Sequence, residues 1–300
     1  MTTRDEVLAG GSTRPRGARR SELVGALERY LEALRANDPA LFGATRIRFT
    51  ENGQELAVGK GLWGTATKQP APEVQLALAD ERSSQAACFA LVGEAGEPVL
   101  LALRVRLRAG RIAEAETLVC RDRDSIFSVE GFRRPRPLFG QLVSGQQRAD
   151  RELLAGIPDR YLDGILAGDG SAIPVAADCI RVENGVQTVL NPDLVGIREA
   201  VRDRGTWHLS VAEQVDSGIF SDIEAARDRR VPLIDEDLGV AFAWFLFDHA
   251  GPLTSRGGES RFRTPNSMMA AEAFKVVGGQ IREIEALLGV FPYGMRPGWT

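Results

Sequence analysis

Arg29-Tyr30-Leu31-Glu32-Ala33-Leu34, running on to Asp38, returns later in the chain as Arg160-Tyr161-Leu162-Asp163-Gly164-Ile165, running on to Asp169. The echo continues downstream. Ile47-Arg48-Phe49-Thr50-Glu51-Asn52-Gly53 answers Ile180-Arg181-Val182-Glu183-Asn184-Gly185 with one residue dropped. Val105-Arg106-Leu107 followed by Gly110-Arg111-Ile112-Ala113-Glu114-Ala115-Glu116-Thr117-Leu118 aligns with Phe274-Lys275-Val276 followed by Gly279-Gln280-Ile281-Arg282-Glu283-Ile284-Glu285-Ala286-Leu287. A unit of roughly 130 residues used twice accounts for the length better than one large domain. The reading divides the chain into an N-terminal arm (1–20), a first unit (21–125), a linker (126–150) and a second unit (151–300).

Within each unit a helix comes first and strands follow. Leu23, Leu27, Tyr30, Leu31 and Leu34 recur at helical spacing, and Asn37-Asp38-Pro39 ends that helix. Ile157, Tyr161, Leu162 and Ile165 repeat the pattern up to Gly168-Asp169-Gly170, with Pro158 expected in the first turn or at a kink. Strands are expected over 46–49, 86–92, 99–107 and 112–120, then over 179–182, 207–211, 231–234, 240–247, 271–276 and 281–288. Ala109-Gly110 and Gly278-Gly279 supply the turn of the last hairpin in each unit. The fold class is α+β: two tandem cone-shaped units, each a curved antiparallel sheet wrapped around N-terminal helices.

Composition narrows the function classes. With 44% hydrophobic and 26% charged residues the chain can bury two cores. A net charge of -4 exerts no general pull toward nucleic acid. The longest apolar run, Val240 to Phe247, is too short to cross a bilayer. Arg14, Arg16, Arg19 and Arg20 lack the apolar stretch of a secretory signal, so a cytoplasmic location is expected. Cys88, Cys120 and Cys179 are widely spaced among apolar neighbours and read as small core side chains. Gly59-Lys60-Gly61-Leu62-Trp63-Gly64 meets the bare dinucleotide pattern without a strand-turn-helix around it, and reads as a loop. Asp235-Glu236-Asp237 reads as a hairpin turn. No metal and no cofactor are expected.

The tyrosine followed eight residues later by Asp, the Val-Glu-Asn-Gly strand end and the final Gly-Gln-Ile-Arg-Glu-Ile-Glu-Ala-Leu strand together resemble the nuclear-transport-factor-2-like superfamily, in its SnoaL-like and ketosteroid-isomerase-like branch. The resemblance implies cones that hold a small molecule and pair through their sheets, so a tandem chain would be a covalently linked pair, with further homo-oligomers through sheet faces. It also implies roles. Tyr30 and Tyr161 match the tyrosine that donates to an oxyanion. Asn52 and Asn184 stand where the family has its aspartate base, and the neighbours Glu51 and Glu183 are expected to face the other way. Glu272 matches an acid kept protonated in an apolar pocket, where the first unit has Leu103.

The two units are unequal in ionisable groups, because His208, His249 and Glu272 all lie in the second. Histidine is suited to proton transfer near neutral pH. The expected catalytic set is His249, Tyr161 and Glu272, with Asp248 considered as a partner for the imidazole. Arg261, with Arg263 near it, and Asn184, His208, Trp207 and Trp244 are expected to bind substrate. The expected function is cofactor-independent acid–base chemistry on a hydrophobic, aromatic or polycyclic small molecule, a lyase step ahead of an isomerase or cyclase step. The alternative is a non-catalytic binder or scaffold.

Overall fold

In the computed structural model, residues 18–42, 47–121, 126–197, 205–253 and 262–299 are described. Helix α1 (Arg20–Ala36) carries its apolar residues on one face and stops at Asn37, whose φ of 52° is the left-handed conformation of a helix end. The short strands β1 (Arg48–Glu51) and β2 (Gln54–Glu55), the one-turn helix α2 (Leu62–Thr65) and β3 (Ala66–Thr67) follow. Four longer strands complete the first half: β4 (Glu73–Asp80), β5 (Gln85–Glu94), β6 (Glu97–Arg108) and β7 (Arg111–Cys120). A further turn of helix, α3 (Val129–Phe132), leads to α4 (Arg151–Ala167). Beyond it come β8 (Val175–Glu183), β9 (Val186–Gln187), α5 (Val211–Asp216) and the strands β10 (Ala225–Asp235), β11 (Val240–His249), β12 (Asn266–Val277) and β13 (Gln280–Pro292).

The strands form two curled sheets. One runs β2-β1-β7-β6-β5-β3 with β4 also on β5, and the other runs β10-β11-β12-β13-β8-β9. The architecture is mixed α+β. The expectation of purely antiparallel sheets fails at one seam in each, since β1 runs parallel to β7 and β8 parallel to β13. In each half the whole intervening sheet serves as the long crossover that a parallel pair requires. Both final hairpins turn where expected, with positive φ at Ala109, Gly110, Gly278 and Gly279, as a two-residue primed turn demands.

Three elements depart from the sequence reading. Residues 207–211 are no strand: Ser210 and Glu213 form a capping box that starts α5, a signal readable as Ser-x-x-Glu. Strand β4 went unforeseen. Pro158 lies in the middle of α4, because Asp150, whose carboxylate accepts from the Leu153 amide, starts that helix two turns earlier than its apolar spacing indicates.

Each sheet has an inner face closed by its helix. Leu23, Leu27, Tyr30 and Leu34 of α1 pack on Cys88, Leu101, Leu103 and Val105; Leu154, Ile157, Tyr161 and Ile165 of α4 pack on Phe245, Phe247, Ala270 and Phe274. The outer faces pack on each other. Phe89, Leu100, Ala102 and Leu118 meet Phe242, Trp244, Leu246 and Leu287 in one shared core, where the Phe89 and Phe242 rings lie 5.6 Å apart. These outer faces are therefore covered within the chain.

Contacts between the halves come in matched pairs. Arg20 at the start of α1 donates to Asp235 (2.7 Å), which also accepts from the Ala79 amide; Arg151 at the start of α4 donates to Asp80 (2.6 Å), which accepts from the Ile234 amide. The segment after each final strand crosses to the other sheet. Gly131-Phe132 lies against the Gly185 turn, and Gly298-Trp299 lies against the Gly53 turn, each glycine so close that a Cβ would collide with the turn. The indole of Trp299 donates to Thr50 (2.6 Å). Cys88, Cys120 and Cys179 are buried free thiols. Among the described residues no helix is long and apolar enough to cross a membrane.

Candidate functional site

The inner face of the second sheet holds a buried polar cluster where apolar packing would be expected. Alternation along β8 points Arg181 and Glu183 inward, and along β12 it points Glu272 and Phe274 inward. Helix α4 supplies Tyr161, whose ring meets Phe274 edge-on at 5.2 Å, and α5 supplies Gln214. Arg181 is the hub. It donates to Thr188 (3.1 Å), the Tyr161 hydroxyl (3.2 Å) and Gln214 Oε1 (2.5 Å), and pairs with Glu183 at 2.8 Å. Gln214 is oriented in turn by donating to the Thr188 and Thr206 carbonyls.

Burial sets the electrostatics. The Glu272 carboxyl is pushed up to about 8, first by desolvation and then by the charge of Glu183, with Arg181 pulling the other way. It therefore stays largely protonated at neutral pH. Its Oε2 has no hydrogen-bond partner among the described residues. Desolvation also raises the Tyr161 phenol. It works against the charge on Arg181 too, and the neighbouring Tyr161, Glu183 and Glu272 outweigh it. The cluster thus offers a protonated carboxyl, a neutral phenol and a fixed cation, three groups that stabilise negative charge developing on a ligand oxygen.

Of the residues expected from sequence, Tyr161 and Glu272 come together here and the others do not. His249 is fully buried on the same face, its ring 4.4 Å from Phe262. It is nonetheless remote from Glu272. His249 pairs with Asn266 and Glu272 with Ala243, a separation of six residues along β11, or about 20 Å. The expected catalytic trio is therefore split. Asp248 does not orient His249: it faces outward, where Arg227 (2.6 and 3.0 Å) and Ser267 (2.5 Å) hold it.

The expected binding residues are dispersed as well. Trp244 faces the core between the sheets, at 6.1 Å from Phe242, because its even position on β11 points away from the inner face. Trp207 is buried in a separate small cluster with Val186 and Ile197, and His208 beside it is exposed. Asn184 has a φ of 46° at the β8–β9 turn, and its amide is occupied in both directions by the backbone of Leu288. Arg261 lies outside the described residues, and Arg263 is exposed. Among the described residues no group of three His, Cys, Asp or Glu is placed to hold a metal ion.

Arg181, Glu183 and Gln214 are members that sequence reasoning missed. Matching Ile47-Arg48 to Ile180-Arg181 puts the dropped residue in the wrong place. The strand pairings set Phe49 opposite Ala115 and Arg181 opposite Ile284, so a buried phenylalanine is the true counterpart of Arg181. Glu183 points inward by the same alternation as Arg181, and the left-handed Asn184 follows the end of the strand.

The first unit's equivalent space is filled. Phe49 and Leu103 stand for Arg181 and Glu272, and the rings of Tyr30, Phe42 and Trp63 pack within 5.2 to 5.6 Å of one another. There the tyrosine accepts a hydrogen bond from Trp63 (3.0 Å) rather than from an arginine. Glu51, the counterpart of Glu183, accepts from the Leu62 amide, and burial raises its carboxyl.

Residues 147–288, just under half of the chain and centred on the second sheet, match a family described as a domain of unknown function, DUF8021. No curated protein matches the chain. Solved structures similar to part of it include an NTF-2-like protein of unknown function from Burkholderia xenovorans LB400, at 14% identity over 36% of this chain and 91% of that one, with a TM-score of 0.30. A protein of unknown function with a cystatin-like fold from Methylobium petroleophilum PM1 is 14% identical over 36% of this chain and 82% of that one, with a TM-score of 0.29. A de novo designed protein with a curved β-sheet is 15% identical over 34% of this chain and 88% of that one, with a TM-score of 0.28.

Proposed function

We propose that the second unit is a cofactor-independent acid–base site for a hydrophobic, aromatic or polycyclic small molecule, acting as a lyase in preference to an isomerase or cyclase. We also read the chain as two copies of one nuclear-transport-factor-2-like unit, joined covalently, of which the first has become structural. The observation that carries the functional reading is Glu272. A buried carboxyl, held protonated and with an oxygen lacking a partner, is costly unless something else uses it. Tyr161 and Arg181 stand beside it to share the charge of an enolate or alkoxide. Glu183, paired with Arg181, is the group suited to take a proton.

The test is turnover of aryl β-hydroxyketones, followed as loss of water or as retro-aldol cleavage, by the wild type, Glu272→Gln, Tyr161→Phe and Glu183→Gln. Supporting results are measurable turnover by the wild type and a loss of at least a hundredfold in each variant, with folding intact. Binding of 2-naphthol without turnover of any member would favour the non-catalytic binder instead. One feature points that way: Arg181 is already satisfied by four protein partners, as a purely structural network would be.

A further inference from the structure

The internal repetition allows one surface to be compared with its own counterpart. In the first sheet Glu114 lies beside Arg48 across the β1–β7 pairing, and its carboxylate accepts from Arg104 at 3.2 Å and from Arg106 and Arg108 at 3.5 Å. The Trp299 indole covers this spot, with the guanidinium groups of Arg48 and Arg104 at 4.0 and 4.5 Å from its ring centre. A carboxylate, cations and an aromatic face thus assemble from the chain itself.

The second sheet has the same carboxylate without the arginine hydrogen bonds. Glu283 occupies the register of Glu114 and pairs with Ile180 where the first sheet has Arg48. Ala273 replaces Arg104. Lys275 replaces Arg106, but its ammonium is drawn to the Gln141 and Leu238 carbonyls, both at 2.6 Å. Arg136 from the linker is engaged by Glu285 at 2.8 Å. Glu283 is 7% exposed, and its carboxylate has no hydrogen bond or ion pair among the described residues. Burial raises this carboxyl, against the pull of Arg136 and Lys275, as expected for a charge incompletely compensated. It lines a groove of about 470 Å³ between the linker and β8–β9, with Ile180, Val182, Leu190 and Val195 as apolar wall, a volume suited to a small molecule. Asp193 adds negative charge to the lining, and the two arginines that also line it are each matched, Arg136 by Glu285 and Arg134 by Glu130 at 3.5 Å.

We propose that this groove binds a small organic cation, an ammonium or guanidinium group on an apolar body, with the charge against Glu283 and the body on Ile180, Val182 and Val195. The cation supplies what Arg104 supplies to Glu114. The site is independent of the Arg181 cluster, because Ile180 and Val182 point to the opposite face of β8 from Arg181 and Glu183.

Benzamidine is the probe and neutral benzamide its control, titrated at low ionic strength by calorimetry and by amide chemical shifts. Saturable benzamidine binding is expected, with shifts at Gly131, Gly185 and Val195. Glu283→Gln should weaken it by roughly tenfold or more. Ile180→Arg, which places a guanidinium beside Glu283 across the β8–β13 pairing, should abolish it. Circular dichroism checks that both variants fold. Absence of saturable binding, equal binding of benzamide, or unchanged affinity in a folded Glu283→Gln protein would overturn the assignment.

Discussion

Replacing Glu272 by Gln tests the buried acid directly, because the two side chains share a shape and differ in whether they ionise. In the native protein this carboxyl titrates at about 8 against an ordinary value of 4.5. Its folded value is raised, so between those pH values the native state holds a proton that the unfolded chain has released, and stability falls as pH rises. The contribution is complete below about pH 4.5 and lost on passing through about pH 8. A displacement of that size corresponds to about 5 kcal/mol at its limit. Urea unfolding of wild type and variant from pH 5 to pH 9 gives the difference at each pH, with the other raised carboxyls, Glu51, Glu283 and Glu285, cancelling. The variant should gain progressively from about pH 5 upward and level off above about pH 8, where the native carboxyl is ionised as well. A difference that stays flat across the range would refute both the burial argument and the protonated acid on which the proposed chemistry rests.

Two further perturbations address the asymmetry of the halves. Arg181→Met strips Tyr161, Gln214, Thr188 and Glu183 of their shared partner and should cost about 3–5 kcal/mol in urea unfolding, whereas the pair Arg181→Phe with Glu272→Leu, which copies Phe49 and Leu103, should recover part of that loss; a pair less stable than the single variant would contradict the structural equivalence. Gly185→Ala places a methyl 2.1 Å from the Ser128 carbonyl oxygen, while at Gly53 the nearest atom is the flexible methyl of Met295, so the former should be the costlier by about 1–2 kcal/mol in thermal unfolding, although both glycines have positive φ. Equal costs would mean that the crossing linker is not held against that turn.

The repeated Arg-Tyr helix and the strand-turn-strand endings carried the architecture in the sequence, since helical spacing and Gly turns are local signals. The parallel seams were invisible, because a strand of four residues such as β1 does not announce its neighbour. The site was half legible. Tyr161 and Glu272 came from matching the repeats to a known pattern, but histidine chemistry drew attention to His249, and nothing local tells that it lies six residues along a strand from the cluster. Trp244 misled for a related reason: an apolar run buried on both faces does not reveal which face meets the helix. Arg181 was hidden by the placement of one gap, and Gln214 by the misreading of its helix as a strand.

The paired crossings, Arg20 to Asp235 and Arg151 to Asp80, with a tail from each half laid on the other's turn, bind two dissimilar partners at fixed one-to-one stoichiometry. Tethering keeps their mutual effective concentration high whatever the abundance of the protein, and mispairing of like halves has no entropic advantage. Such an arrangement permits the two interiors to differ, one filled with aromatic and aliphatic side chains and the other holding buried charge.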